Sequence, residues 1–129
     1  CGGIIENTIS ELMNLLSAKG VDAKISDLSV WLGPCIGQKH FEVGQDVFDA
    51  FMFADANKGD ISSCFSPLAT SGKYLADLHS LAKIRLKHLG IQDISETHSC
   101  CFEEKENYFS YRRDKVTGRF ATLIWIEPK

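Results

Sequence analysis

The chain has 129 residues, 44% of them hydrophobic, and sets 14 lysines and arginines against 17 aspartates and glutamates, a net charge of −3. That mild acidity excludes a broad nucleic-acid face, which needs clustered positive charge, and no apolar run in the sequence approaches the ~20 residues of a membrane helix. A soluble domain of this size buries about two-thirds of its unfolded surface, enough for one core, so a single domain over 1–129 is expected.

Cys1-Gly2-Gly3 opens the chain, and a helical pattern begins at once, which reads as a piece of a longer protein rather than a native start. No signal peptide is visible. Ile5, Ile9, Leu12 and Leu16 recur at helical spacing and Gly20 is a stop, predicting a helix over 4–19. Val30, Trp31 and Leu32 form a short apolar run closed by Gly33-Pro34, read as a buried strand entering a tight loop. Phe41 to Val43 suits a short strand, and Val47, Phe48, Phe51 and Met52 mark one face of a helix over 45–54. Residues 57–72, rich in Ser, Gly, Asp and Pro, read as a loop and the place where disorder is expected. Leu75, Leu78, Ala82, Leu86 and Leu89 predict a helix over 73–88, stopped by Gly90, with a short strand at "IQDIS". Residues 97–107 read as a polar loop, "DKVTG" as a turn, and 119–126 as a terminal strand built of Phe120, Leu123, Ile124, Trp125 and Ile126. Helices interleaved with strands indicate an α/β or α+β layered fold, a mixed sheet flanked by helices. Three or four strands are few for a self-sufficient sheet, so part of it is expected elsewhere.

The five cysteines, at 1, 35, 64, 100 and 101, are odd in number and lack zinc spacing, which favours reduced thiols in a cytoplasmic protein. Arg112 and Arg113 stand behind the aromatics Tyr108, Phe109 and Tyr111. A guanidinium offers a fixed fork of donors suited to phosphate or carboxylate, and a neighbouring ring can stack on a base or sugar. The plainer alternative pairs one arginine with Asp114 and leaves the other in solvent. "GPCIGQKHFEVG" forces a particular backbone path at Gly33, Pro34 and Gly37, but lacks the spacing and Lys-Ser/Thr ending of a phosphate loop, so a structural turn is the simpler reading. Glu42 points away from the core if Phe41 and Val43 face it, free to bind a hydroxyl, to steer an arginine, or simply to meet solvent. The histidines at 40, 79, 88 and 98 show no metal spacing; His79 and His88 lie two and a half turns apart. His98 beside Cys100 and Cys101 is the nearest thing to a thiol–base pair, without an orienting third group.

Three stretches together resemble one bacterial family. "VWLGPCIGQKHFEVGQDVFDAF", "KYLADLHSLAKIRLKHLGI" and "CCFEEKENYFSYRRDKVTGRFATLIWI" are similar to the G-P-x-I-G…F-E-V-G, Y-L-D-L and F-F-S-Y-R-R-D…T-G-R…I-W segments of the laccase-domain, or multicopper polyphenol oxidoreductase, proteins. Members of that family are regarded as purine nucleoside phosphorylases with adenosine deaminase side activity. The resemblance runs from Ile4 to Ile126, with Cys101, Phe102 and Phe120 replacing the family's usual Thr, Tyr and Met, swaps that packing can absorb. It implies the laccase-domain, cytotoxic necrotizing factor-like fold, incomplete in this chain. It also implies that the family's zinc or copper ligands, two histidines and a cysteine, precede Cys1, so that Cys1 is not one of them and this chain is the C-terminal half of the enzyme. Its partners would be a purine nucleoside, phosphate and the missing N-terminal half, with no nucleic acid and no membrane. The substrate and anion contacts expected here are Arg112, Arg113, Tyr111, Phe41 and Glu42, with no catalytic or metal residue. Alternatives are a non-catalytic module binding a small ligand or partner and, more weakly, a cysteine hydrolase or a copper polyphenol oxidase.

Overall fold

The computed structural model describes residues 2–54 and 58–124. Helix α1 (Ile4–Ala18) turns Ile5, Ile9 and Met13 inward. It ends at Gly20, whose φ of 73° only glycine adopts easily. Two reversed bonds, Gly20 N to Ser17 O at 2.9 Å and Val21 N to Leu16 O at 3.0 Å, satisfy the last carbonyls. Strand β1 (Ser29–Leu32) follows, then β2 (Glu42–Gly44), α2 (Gln45–Ala54), α3 (Lys58–Ser63), β3 (Phe65–Pro67), β4 (Lys73–Ala76), α4 (Leu78–His88), β5 (Asp93–Glu96) and the single turn α5 (Tyr111–Asp114).

The strands form two sheets. β1 and β5 pair in parallel, Ser29 opposite Asp93 through Leu32 opposite Glu96. A bond from Thr97 N to Leu32 O and a bridge between Cys35 and Cys100 carry the pairing past the strand ends. β2, β4 and β3 make an antiparallel sheet with β4 in the middle. Pro67, which has no N–H to donate, sits on edge strand β3, where that is tolerated.

Each sheet has its own core. Val43, Ile61, Cys64, Phe65, Ala76 and Leu81 close the antiparallel side, backed by the stacked rings of Phe48 and Tyr74, whose centroids are 4.6 Å apart. Ile9, Leu86 and Ile91 close the parallel side, with Val30, Leu32 and Ile94 leaning in from the strands. Helix α4 serves both, and its end repeats the arrangement of α1. Gly90 takes a φ of 95°, Ile91 N bonds Leu86 O at 3.1 Å, and the two side chains meet in the core.

The mixed α/β architecture flanked by helices agrees with the sequence, as do the helix over 45–54 and the strand in "IQDIS". Three regions differ. The expected helix over 73–88 divides at Asp77: residues 73–76 are drawn into the sheet between β2 and β3, and the helix starts only after Asp77 caps it through Ser80 N at 3.0 Å. The expected loop over 57–72 holds α3 and β3, because Ile61 and Phe65 are core residues; its first residue, Asn57, lies outside the described residues. The expected terminal strand has no ladder over 119–124, where Leu123 and Ile124 are 78% and 97% exposed, and its last two residues lie outside the described ones. A strand exists only with a partner, and none of the described strands pairs with this run. Trp31, expected inside, is half exposed because only one face of the parallel pair is covered.

Ile91 is fully buried and Val116 is 92% exposed. Ile91→Ala is therefore expected to cost roughly 2–5 kcal/mol in urea unfolding, and Val116→Ala less than about 0.5 kcal/mol, both with unchanged denaturant slope.

Candidate functional site

Parallel strands open a crevice where their carboxyl ends diverge into loops. Here the chains after β1 and β5 stay joined as far as Cys35 and Cys100, and with the start of α4 they line a cavity of about 210 Å³. One wall carries Asp77, His79, Lys83 and Glu96; the other carries Cys35, Gly37, Gln38 and the run 98–100. Glu96 is the hub of the polar wall. Its Oε1 accepts from Lys83 Nζ at 2.8 Å and its Oε2 lies 3.3 Å from His79 Nδ1. The Lys83 bond holds its carboxyl below the usual range, with the charges of Lys83, His79 and His98 adding to the effect. His79 Nε2 donates to Gly33 O at 2.9 Å, so the imidazole ties the loop after β1 to α4.

The thiol wall is chemically quiet. Burial first, then the neighbouring Cys101 and Asp77, push the Cys35 thiol up to about 11. It stays protonated at neutral pH and donates to Ile36 O. Cys100, 8% exposed, accepts from Gly37 N at 3.1 Å. A side chain at Gly37 would crowd that sulfur, since a Cβ there would stand 3.2 Å from it.

Arg112 and Arg113 diverge. Arg113 is held bidentately by Asp114, at 2.9 and 2.8 Å, and donates to the carbonyls of Cys101, Phe102 and Tyr108. Arg113 in turn holds the Asp114 carboxyl below its ordinary range. Arg112 lies over the Phe41 ring, 5.2 Å from its centroid, and donates to Glu42 O at 2.7 Å. The Glu42 carboxylate itself pairs with Lys73 at 3.3 Å. Phe41, Glu42 and Arg112 thus meet, while Tyr111 faces elsewhere. With Phe109, Thr117, Arg119 and Phe120 it lines a separate recess of about 150 Å³, where Tyr111 is 61% exposed. Gly118 packs so close to the Phe109 ring that a Cβ would come within 2.8 Å of it. Between the arginines and this recess the backbone turns sharply at Lys115, with φ 63° and ψ −49°, and Val116 N bonds Asp114 O at 2.7 Å. That is a γ-turn of the strained hand, costly for any side-chain-bearing residue.

His98 and Cys100, set side by side by the sequence, do share the crevice. Asp77, Lys83 and Glu96 belong to no motif; the Asp-x-x-Ser cap ahead of the helix was the available signal for the first of them. A transition metal needs converging His, Cys or carboxylate donors. Among the described residues no three are so arranged. Both nitrogens of His79 are engaged, and His40 stacks on Phe102 and bonds Glu103 at 2.9 Å. Nor is any helix among the described residues long and apolar enough to cross a membrane.

The family model described as multi-copper polyphenol oxidoreductase laccase matches residues 1–127. The chain is 43% identical over 128 residues to a purine nucleoside phosphorylase of Haemophilus influenzae, covering 98% of this chain and 48% of that protein. It is 40% identical over 126 residues to one of Escherichia coli, covering 98% and 46%. A crystallised protein of Neisseria meningitidis is similar with TM-score 0.71 and 36% identity, over 88% of this chain and 41% of that one. The chain therefore spans about half the length of the curated relatives it matches.

A Cys35 thiol near 11, above the ordinary 9.0, favours the folded state below the unfolded value and loses that contribution as pH rises through the folded one. Ultraviolet thiolate titration is expected to show a late step near 11 that disappears in Cys35→Ser. Glu96 has the opposite sign, its lowered value stabilising the fold above the unfolded carboxylate range. Glu96→Gln should cost about 1 kcal/mol at pH 7, and the gap to the parent protein should narrow as pH falls through the carboxylate range. Lys115→Gly, relieving a positive φ, should raise stability by up to about 1 kcal/mol in thermal unfolding.

Proposed function

The chain belongs to the multi-copper polyphenol oxidoreductase laccase family, and from that membership we propose that it is the C-terminal portion of a cytoplasmic enzyme that cleaves purine nucleosides with phosphate. The observation that carries the reading is the 43% identity to a purine nucleoside phosphorylase sustained over 98% of this chain. In phosphorolysis a phosphate oxygen bonds to C1′ of the ribose as the C1′–N9 bond breaks. The base departs with the electron pair and takes up a proton. Catalysis of that step rests on holding the anion in line and balancing its charge.

Of the two arginines, Arg112 suits the anion. Phe41 and Glu42 O fix its guanidinium through the ring face and Nη1, and no other atom of its fork is bonded among the described residues. Arg113 is committed to Asp114 and three carbonyls and holds the loop that presents its neighbour. Tyr111 lies in the separate aromatic recess, away from the Arg112 fork, and has no part in this step. Zinc or copper, and the adenosine deaminase side activity that would use it, belong in this reading to the N-terminal half of the same protein. None of the steps above runs through the metal.

In the intact protein, Arg112→Ala is expected to raise the phosphate KM about tenfold or more, the loss of one charged hydrogen bond, with the melting temperature near that of the parent. Arg113→Ala should lower the melting temperature instead. Inosine cleavage that does not depend on phosphate would end the phosphorolysis reading. An unchanged phosphate KM in Arg112→Ala would end only the role given to that residue.

A further inference from the structure

We propose that Cys35 and Cys100 form a reversible disulfide, a latch at the end of the β1–β5 seam, when the protein meets a low-molecular-weight organic disulfide. The two residues are partners in a parallel bridge, and Cys101 N bonds Cys35 O at 2.9 Å to hold them level. Neighbouring strands lie about 5 Å apart, inside the Cα span that a disulfide needs. Directly paired residues also send their side chains to the same face of a sheet, and both cysteines line the same cavity. The other described thiols point elsewhere. Cys101, the next residue along, alternates away; its thiol meets Ser110 and does not line the cavity. Cys64 is buried in the antiparallel core and donates to Asp60 O.

The reaction is an exchange in two steps. Cys35, the more exposed of the pair, loses its proton to solvent, and its sulfur attacks one sulfur of the external disulfide. A mixed disulfide forms at Cys35, while the first small thiolate departs with the electron pair and takes up a proton. Cys100, only 8% exposed, then loses its proton and attacks the Cys35 sulfur, releasing the second small thiol. The two protein thiols give up two electrons between them, and one external disulfide is reduced to two thiols. Cys100 is too buried to meet the external reagent first, but its own step is intramolecular between paired residues and has the advantage of fixed proximity.

Closing the latch changes the wall of the cavity. As thiols, Cys35 donates to Ile36 O and Cys100 accepts from Gly37 N at 3.1 Å. The disulfide has no S–H to give Ile36 O, and it turns the Cys100 sulfur from Gly37 towards Cys35, so the loop at 36–37 must settle into a new position. The bond also joins residues far apart in sequence, which restricts the unfolded chain and stabilises the fold. Burial keeps the Cys35 proton in place at neutral pH, and only the thiolate attacks. The first step is therefore slow, and the pair rests as thiols until exposure to the oxidant is sustained.

The test is incubation of the intact protein with oxidised glutathione, blocking of the remaining thiols with iodoacetamide, tryptic digestion and mass spectrometry. A linked peptide pair joining Cys35 to the segment that holds Cys100 and Cys101 is expected, about 2 Da lighter than its reduced parts for the two hydrogens lost. Cys101→Ser should keep the link. Cys100→Ser should lose it and leave glutathione on Cys35. The oxidised parent should melt several degrees higher, and dithiothreitol should reverse both changes. The proposal is overturned if the parent shows no such link, if oxidised glutathione yields only an adduct on Cys35, if Cys101→Ser loses the link, or if Cys100→Ser keeps it. Should Cys100→Ser not fold, the parent and Cys101→Ser decide the matter alone.

Discussion

The switch from strand to helix at Asp77 is the constraint on which the rest of the molecule depends. Its backbone N–H bonds Cys64 O at 2.9 Å, anchoring the end of β4 to the chain just before β3, and its carboxylate caps α4. The helix so started contributes Leu81 to one core and Leu86 to the other, and these cores share no other element to the same degree. Arg85, on the same helix, bonds Glu6 at 2.6 Å and so fixes α1. His79 and Lys83 reach Glu96 at the end of β5. Moving the helix start by one residue would rotate all of these positions by about 100° and dismantle both cores and the crevice together.

Elements whose own residues decide them were legible. α2 reads directly from Val47, Phe48, Phe51 and Met52, and the glycine stops after α1 and α4 from Gly20 and Gly90. Elements decided by neighbours were not. Tyr74 and Leu75 fit a helical stripe as well as a strand, and only the flanking β2 and β3 settle the matter. Residues 58–63 carry a glycine and two serines, yet the burial of Ile61 makes them helical. The run 119–124 shows the converse. Strand-forming side chains produce no strand where no ladder is offered.

The candidate site divides along the same line. Aromatics and paired arginines were visible as residue types, but the roles of Arg112 and Arg113 follow from what each guanidinium touches, a ring and a carbonyl in one case, a carboxylate and three carbonyls in the other. Glu96 and Lys83 are unremarkable in sequence and thirteen positions apart. They meet because β5 runs parallel to β1 and delivers its last residue beside α4.

That parallel pairing also carries a kinetic consequence. Ser29 and Asp93 are 64 positions apart, whereas β3 and β4 are joined by a short connection and pair locally. Loop closure over the longer distance has the greater entropic cost and gains nothing until both strands are in place. The antiparallel half, with its local pairing, carries the smaller closure cost, and the β1–β5 seam carries the larger one. Amide exchange should accordingly be faster along Ser29–Leu32 than along Lys73–Ala76, so that the two halves of one small chain answer to different closure costs.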